Sequence, residues 1–258
     1  MIVRSDTPEM YRPRQKEDIA SSGFWSPLRR WYLPCKGVAD CLVALTLLIL
    51  ASPLLLLAAL LVKLTSSGSA FYSQTRIGKH GRPFAIYKLR TMYDNCESAS
   101  GPRWSTPGDA RITPLGRVLR RAHVDELPQL WNVMRGDMAL IGPRPERPEF
   151  IPNLTQALPH YADRLLLRPG MSGLAQVQLP PDTDLGSVRR KLAYDLYYVR
   201  HVSLWLDLRI LTSTFLYLLR LPVHMLPQLG ILPRRHVVEE TYRSATGQVI
   251  TVAAVQPA

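Results

Sequence analysis

The sequence predicts an α+β fold, mainly helical, in which one globular domain follows an N-terminal membrane segment. Three observations carry that expectation. Cys41–Val62 is a stretch of 22 residues without a charge. Residues 125–136, 187–199 and 203–221 repeat their apolar side chains at helical spacing. Ala70–Gln74 and Phe84–Leu89 are short β-type runs around a Gly78-Lys79-His80-Gly81 turn.

The composition agrees. Of 258 residues, 47% are hydrophobic and 20% charged, which excludes a disordered or fibrous chain. Lysine and arginine outnumber acids 32 to 20, a net +12 that points to a polyanionic partner: nucleic acid, an anionic membrane surface or a phosphorylated substrate. Three cysteines, Cys35, Cys41 and Cys96, form no CxxC spacing, so neither a disulfide framework nor a cysteine zinc site is expected. The first 23 residues carry no apolar h-region, and no cleavable secretion signal is expected.

Residues 1–35 read as a polar arm ending in Phe24, Trp25, Trp31 and Tyr32, with Arg29 and Arg30 between, a mixture suited to lipid headgroups. Residues 36–64 form the membrane element. As a straight helix, Cys41–Val62 is ~33 Å long, enough to span the hydrocarbon core. Ser52-Pro53 lies at its middle, where proline removes a donor and breaks or kinks the helix into two arms. Basic residues flank both ends, seven in 1–36 and six in 63–92, so no charge bias sets an orientation. A spanning anchor and a re-entrant hairpin both satisfy this stretch.

Residues 65–221 form the domain. After the β-hairpin, 94–110 is a surface loop rich in Ser, Gly, Pro and Asp, and Leu115–Ala122 is a basic helix. Asp125–Gly136 is the clearest helix, with Leu127, Leu130, Trp131 and Met134 on one face, Pro128 tolerated in the first turn and Gly136 as the stop. Prolines 143, 145, 148 and 152 mark an extended loop, Arg168-Pro169-Gly170 a turn, and two amphipathic helices follow. Residues 222–258 form a tail with no readable role.

The chemistry centres on Asp125-Glu126. Acids at a helix start face free backbone N–H groups, and capping alone accounts for them. The surrounding charge widens the reading: Lys88, Arg90, Arg120, Arg121, Arg144 and Arg168 lie in turn-rich or strand-end segments. Such cations can bind phosphates while paired carboxylates hold a divalent ion. A carboxylate can also attack phosphorus, with cations stabilising the transferred group.

Five blocks, in order, carry a resemblance: KGVAD with Ser52-Pro53 beyond it, QTRIGKHGRPFAIYKLRTM, VDELPQLWNVMRGDMALIGPRPE, RPGMSGLAQV and YDLYYVRHVSLWLDLRIL. From about Lys36 to about Leu221 the chain resembles the bacterial sugar transferase family, the monotopic polyprenyl-phosphate phosphoglycosyl transferases. The resemblance implies transfer of a sugar-1-phosphate from a UDP-sugar to undecaprenyl phosphate, with release of UMP and with Mg2+. This is the first membrane step of extracellular polysaccharide or glycoconjugate synthesis, on the cytoplasmic face of the bacterial inner membrane.

By the same resemblance, Asp125 is the nucleophile of a covalent phospho-sugar intermediate, and Glu126 is its partner, both at the metal. Lys88, Arg120 and Arg144 match positions that meet the donor's phosphates, and Arg90 and Arg168 are further substrate-binding candidates. Asp40, Ser52 and Pro53 match the positions that shape a re-entrant hairpin. The expected architecture is thus a single cytoplasmic α+β domain with a re-entrant helix-break-helix and interfacial amphipathic helices. One departure stands out: Gly37 follows Lys36, where the family usually has a second basic residue.

Other residues read more plainly. His123 is structural, His80 solvated in its turn, Trp131 core, Asp137 and Asp163 local turn or capping groups, and Tyr194, Tyr197 and Tyr198 packing. Asp195 and Asp207 have no assigned role. Two alternatives are a non-catalytic membrane scaffold and a nucleic-acid-binding protein, though no nucleic-acid recognition motif is present.

Overall fold

The computed structural model describes residues 27–94, 96, 108–181, 184–219, 221 and 225–247. Phe24, Trp25, the side chains of Arg29 and Arg30, most of the 94–110 loop and both chain ends lie outside them.

The first helix, α1 (Pro27–Thr65), is 39 residues long and continues through Pro34 and Pro53. The helix is therefore not interrupted at Pro53, where a break or kink was expected, for a local reason. Proline cannot donate to the carbonyl four residues back, that of Ile49. The Ser52 hydroxyl donates to that carbonyl at 2.8 Å instead. Asp40, Ala44, Leu55, Ala58 and Val62 form one buried stripe along α1, while Leu50 and Leu56 are each 71% exposed.

Strands β1 (Phe71–Ile77) and β2 (Pro83–Leu89) pair antiparallel, from Phe71 opposite Leu89 to Ile77 opposite Pro83. The predicted turn joins them, with His80 left-handed at φ 57°. Next comes α2 (Pro114–Arg121), whose N-cap Thr113 accepts from the Gly116 amide.

The single helix expected over 125–136 is two pieces: a 3-10 turn, Val124–Glu126, and α3 (Gln129–Met134). Pro128 has no N–H to offer the Val124 carbonyl, which accepts from Leu127 three residues on at 3.3 Å. Trp131 was expected in the core and is 49% exposed. The buried face of α3 is set by Asn132 instead, which donates to the Ala85 carbonyl at 2.7 Å and accepts from the Tyr87 amide at 3.1 Å. Asn132 thus pairs the open edge of β2 as a strand would.

Strand β3 (Ala139–Ile141) runs parallel to β4 (Gly170–Ser172). A Cβ on Gly170 would stand 2.1 Å from the Gly142 nitrogen, so this contact requires glycine. Helices α4 (Ile151–Ala157), α5 (Leu174–Gln178), α6 (Leu185–His201), α7 (Leu204–Leu218) and α8 (Arg235–Thr246), with a 3-10 stretch over Tyr161–Leu166, complete the described elements. Asp184 and Ser187 cap α6 reciprocally.

The main core gathers Leu158, Tyr161, Leu192, Tyr198 and Ile210 from these elements. It does not end at Leu221: Leu226, Leu232, Val238 and Tyr242, assigned to a tail by sequence, are buried in it. Two smaller clusters clamp α1, Ala44 with Ile86, Leu130 and Val133, and Leu55, Ala58 and Val62 with Leu89 and Leu119.

Candidate active site

The acidic pair lies in one 3-10 turn, Val124–Glu126, and its three cations come from three other segments. Lys88 projects from the end of β2, Arg120 from the last turn of α2, and Arg144 from the proline loop after β3. Gly116 lets α2 lie directly on the chain after β2, since a Cβ there would meet the Thr91 carbonyl at 2.1 Å. That closeness lets Arg120 Nε donate to Thr91 Oγ1 at 2.8 Å. Between α2 and the 3-10 turn the chain reverses at His123, left-handed at φ 55°. Such a conformation costs a non-glycine residue about 1 kcal/mol. It sends Asp125 and Glu126 inward rather than along a continued α2.

Glu126 is locked. One of its oxygens, Oε1, accepts from Lys88 Nζ at 2.7 Å and from Arg144 at 2.8 Å. Burial alone would raise its carboxyl, but Arg144 and Lys88 outweigh burial and hold it well below the ordinary value. Burial pulls the Lys88 ammonium down, and Glu126 opposes that shift.

Asp125 is the contrast. Only 6% exposed, it accepts no hydrogen bond from any described residue. Burial pushes its carboxyl up, Lys88 pulls it back, and Glu126 adds to the rise. A carboxylate that lines the cleft with no described protein donor keeps its lone pairs open to solvent, a cation or a substrate.

The pair lines a cleft of ≈ 730 Å³ that also takes in Lys88, Arg90, Arg120, His123 and Arg144. An adjoining cavity of ≈ 480 Å³ shares Glu126, Arg144 and His123, and reaches Tyr217 and Leu218 on α7. The structure therefore brings six of the seven predicted catalytic and substrate-binding residues to one cleft. Within it, Arg90 is committed to architecture: its guanidinium donates to the carbonyls of Ser66, Ser67 and Ser69, closing the turn after α1.

Arg168 lies elsewhere, in a cavity of ≈ 330 Å³ with Lys36, Asp40 and Tyr198. There Gly37 leaves room for it, a Cβ on Gly37 falling 3.2 Å from the guanidinium. Asp40 and Ser52-Pro53 sit on α1, away from the cleft. Asp40 pairs with Lys36 at 3.1 Å and accepts from the Leu140 amide at 3.3 Å, fastening α1 to β3.

Several cleft residues were not singled out by sequence. Tyr72, Gln74 and Arg76 line it from β1, and their alternation along the strand was the available signal. Asp207 gains a role as an anchor for α1, accepting from Tyr198 at 2.6 Å and Tyr32 at 2.5 Å and pairing with Lys36 at 2.8 Å.

Among the described residues, no group of three or more His, Cys, Asp or Glu forms a ready metal cage. Two adjacent carboxylates remain, with Asp125 uncommitted and one Glu126 oxygen outside the Lys88 and Arg144 contacts. That donor set suits a hard cation whose other ligands are phosphate oxygens and water.

Comparison with known proteins agrees with this geometry. Residues 31–221 match the family described as bacterial sugar transferase. The chain is 43% identical over 183 residues to the UDP-N-acetylgalactosamine-undecaprenyl-phosphate N-acetylgalactosaminephosphotransferase of Aeromonas hydrophila, covering 71% of this chain and 43% of that protein. It is 47% identical over 184 residues to the UDP-glucose:undecaprenyl-phosphate glucose-1-phosphate transferase of Caulobacter vibrioides, covering 69% of this chain and 67% of that protein. An exopolysaccharide production protein of Rhizobium leguminosarum is 40% identical over 187 residues, covering 70% of this chain and 94% of that protein. The match thus spans less than half of the Aeromonas relative but nearly all of the Rhizobium one. With a family match over most of its length and the acidic pair, cations and proline loop in one cleft, the chain belongs to the bacterial sugar transferase family.

Proposed function

We propose that the chain transfers a sugar-1-phosphate from a UDP-sugar to undecaprenyl phosphate, through a covalent intermediate on Asp125. The observation that carries this reading is the inequality of the acidic pair: Glu126 is held ionised by two cations, while the buried Asp125 carboxylate accepts no described hydrogen bond. A Asp125 oxygen attacks the sugar-bearing phosphorus. The bond from that phosphorus to the bridging oxygen breaks, and UMP leaves with that oxygen. An oxygen of the lipid phosphate then attacks the same phosphorus, the bond to Asp125 breaks, and the carboxylate is restored.

Lys88, Arg120 and Arg144 offset the phosphate charge as it shifts. Asp125 and Glu126 would hold Mg2+, which supplies further charge neutralisation when bound. Glu126 keeps Lys88 and Arg144 aimed at the phosphates.

We place α1 in one leaflet as a re-entrant element, with the domain on the cytoplasmic face of the inner membrane. Support comes from both ends of α1: Asp40 and Ala44 near its start, and Ala58 and Val62 near its end, pack on the same domain. A spanning helix would carry one end across the bilayer. Leu204, Leu208, Leu211, Phe215 and Leu218 form an exposed stripe at helical spacing on α7, beside Trp205 at 63% exposure, as an interfacial helix requires.

The test is UMP release from UDP-sugars with undecaprenyl phosphate and Mg2+. Asp125→Asn should abolish turnover while the protein still folds and binds membrane; full activity in that variant excludes Asp125 as nucleophile. The same assay addresses the scaffold alternative, for which the absence of UMP release from any UDP-sugar is the signature.

A further inference from the structure

We propose that Arg164, held by Asp195, is a positioning residue that fixes the backbone from which Arg144 reaches Glu126. The proposal rests on the reading of the cleft given above and adds a chain of support behind it.

The loop that carries Arg144 has an unusual fastening problem. Pro143 and Pro145 flank Arg144 and have no N–H, so the loop cannot be zipped in place by its own amides. It is held by its carbonyls instead, four in succession, two of them by neighbouring residues of β1. The Pro143 carbonyl accepts from the Gly170 amide at 2.9 Å, and the Glu146 carbonyl from the Ile77 amide at 2.9 Å. The Pro145 carbonyl accepts from Arg76 at 3.3 Å. The Arg144 carbonyl accepts from Arg164 at 2.7 Å.

That last contact sits at the residue whose side chain grips Glu126 at 2.8 Å. Position before a proline already restricts Arg144 to extended backbone. The hydrogen bond to its carbonyl then orients the following peptide, and the root of the guanidinium is set.

Arg164 is itself held through both terminal nitrogens, while its Nε has no hydrogen-bond partner among the described residues. It is 6% exposed, its guanidinium lies 5.0 Å over the Tyr161 ring, and one terminal nitrogen donates to the Tyr161 hydroxyl at 2.7 Å. The other terminal nitrogen is 2.7 Å from Asp195 Oδ2, and it also makes the bond to Arg144. Its two hydrogens account for both contacts. Asp195 is 3% exposed on α6. A buried ion pair is a poor source of stability, and apolar side chains of similar volume often do as well. Apolar side chains cannot donate to a carbonyl, and the fork of a guanidinium can serve an acid and a carbonyl at once. The path runs from α6 through Asp195 and Arg164 to Arg144, and so to Glu126.

The experiment uses the full chain in lipid nanodiscs, with Arg164→Lys, which keeps the charge and loses the fork, and the isosteric Asp195→Asn should the first fold poorly. The first readout is hydrogen exchange at the Gly170 and Ile77 amides, which bond to this loop. Exchange there should rise at least about tenfold in either variant; unchanged exchange overturns the proposal. The second readout is kcat and KM for the UDP-sugar, whose KM should rise about tenfold as Arg144 loses its fixed approach to the donor phosphates. A loss of activity that only tracks the folded fraction, with KM unmoved, overturns it. Third, Arg164→Lys added to Arg144→Ala should cause no further loss in kcat/KM, and full additivity of the two losses overturns it. If the wild type releases no UMP at all, the functional reading fails, and the exchange measurement still decides the positioning role.

Discussion

Asp125 and Glu126 are neighbours with opposite proton affinities, and the stability of the protein should show it. Glu126 has its carboxyl lowered in the folded state, so its contribution is present above the ordinary glutamate value and lost as pH falls through the lowered one. Glu126→Gln leaves Lys88 and Arg144 without their acid and should cost about 3 kcal/mol at neutral pH, less in strong acid. Asp125 is raised, so its ionisation opposes folding above its shifted value and has no effect below the ordinary aspartate range. Asp125→Asn should therefore raise the melting temperature at pH 7 while removing turnover, and the rise should vanish near pH 3. Thermal denaturation of both variants across pH checks the pair; a lower melting temperature for Asp125→Asn at pH 7 contradicts the assignment. The residues themselves were legible because they sit in long uninterrupted blocks. What could not be read was their inequality, which depends on Arg144 arriving from a loop 18 positions away to share one oxygen with Lys88.

The elements divide along the same line. Periodicity located α2, α6 and α7 and the β-hairpin to within a few residues, because each buries one face and obeys one period. It failed at 125–136, where the apolar positions fit a helix but Pro128 divides it. It failed for Trp131 because α3 is oriented by a polar residue, Asn132, fully buried against β2. Asn132→Ala should leave the Tyr87 amide and Ala85 carbonyl unpaired and cost about 2 kcal/mol in denaturant titration. Because β2 also carries Lys88, kcat should fall in the same variant. Activity retained at a reduced denaturation midpoint would mean that β2 keeps its place without this support.

At the scale of the molecule, the expected tail proves to be part of the core. Val238 and Tyr242 of α8 are 0% exposed, one turn apart, and pack against α6. Tyr242→Ala should cost about 4 kcal/mol, the range for losing a large buried aromatic side chain; a loss under 1 kcal/mol would show α8 to be dispensable. The larger question is how α1 would meet a bilayer, which its composition left open between two arrangements. Its continuous helix is ~58 Å long, more than a straight crossing needs. The domain contacts at both its ends argue against sending one of them to the far side. Cys35, exposed near the start of α1, and a cysteine introduced at exposed Ser67, beyond its end, mark the two sides of the apolar stretch. With Cys41 and Cys96 replaced by serine, a membrane-impermeant maleimide should label both positions in inverted sealed vesicles and neither in right-side-out ones. Labelling of the two positions from opposite sides would establish a spanning α1, and the domain's grip on one of the two ends would then have to open in the membrane.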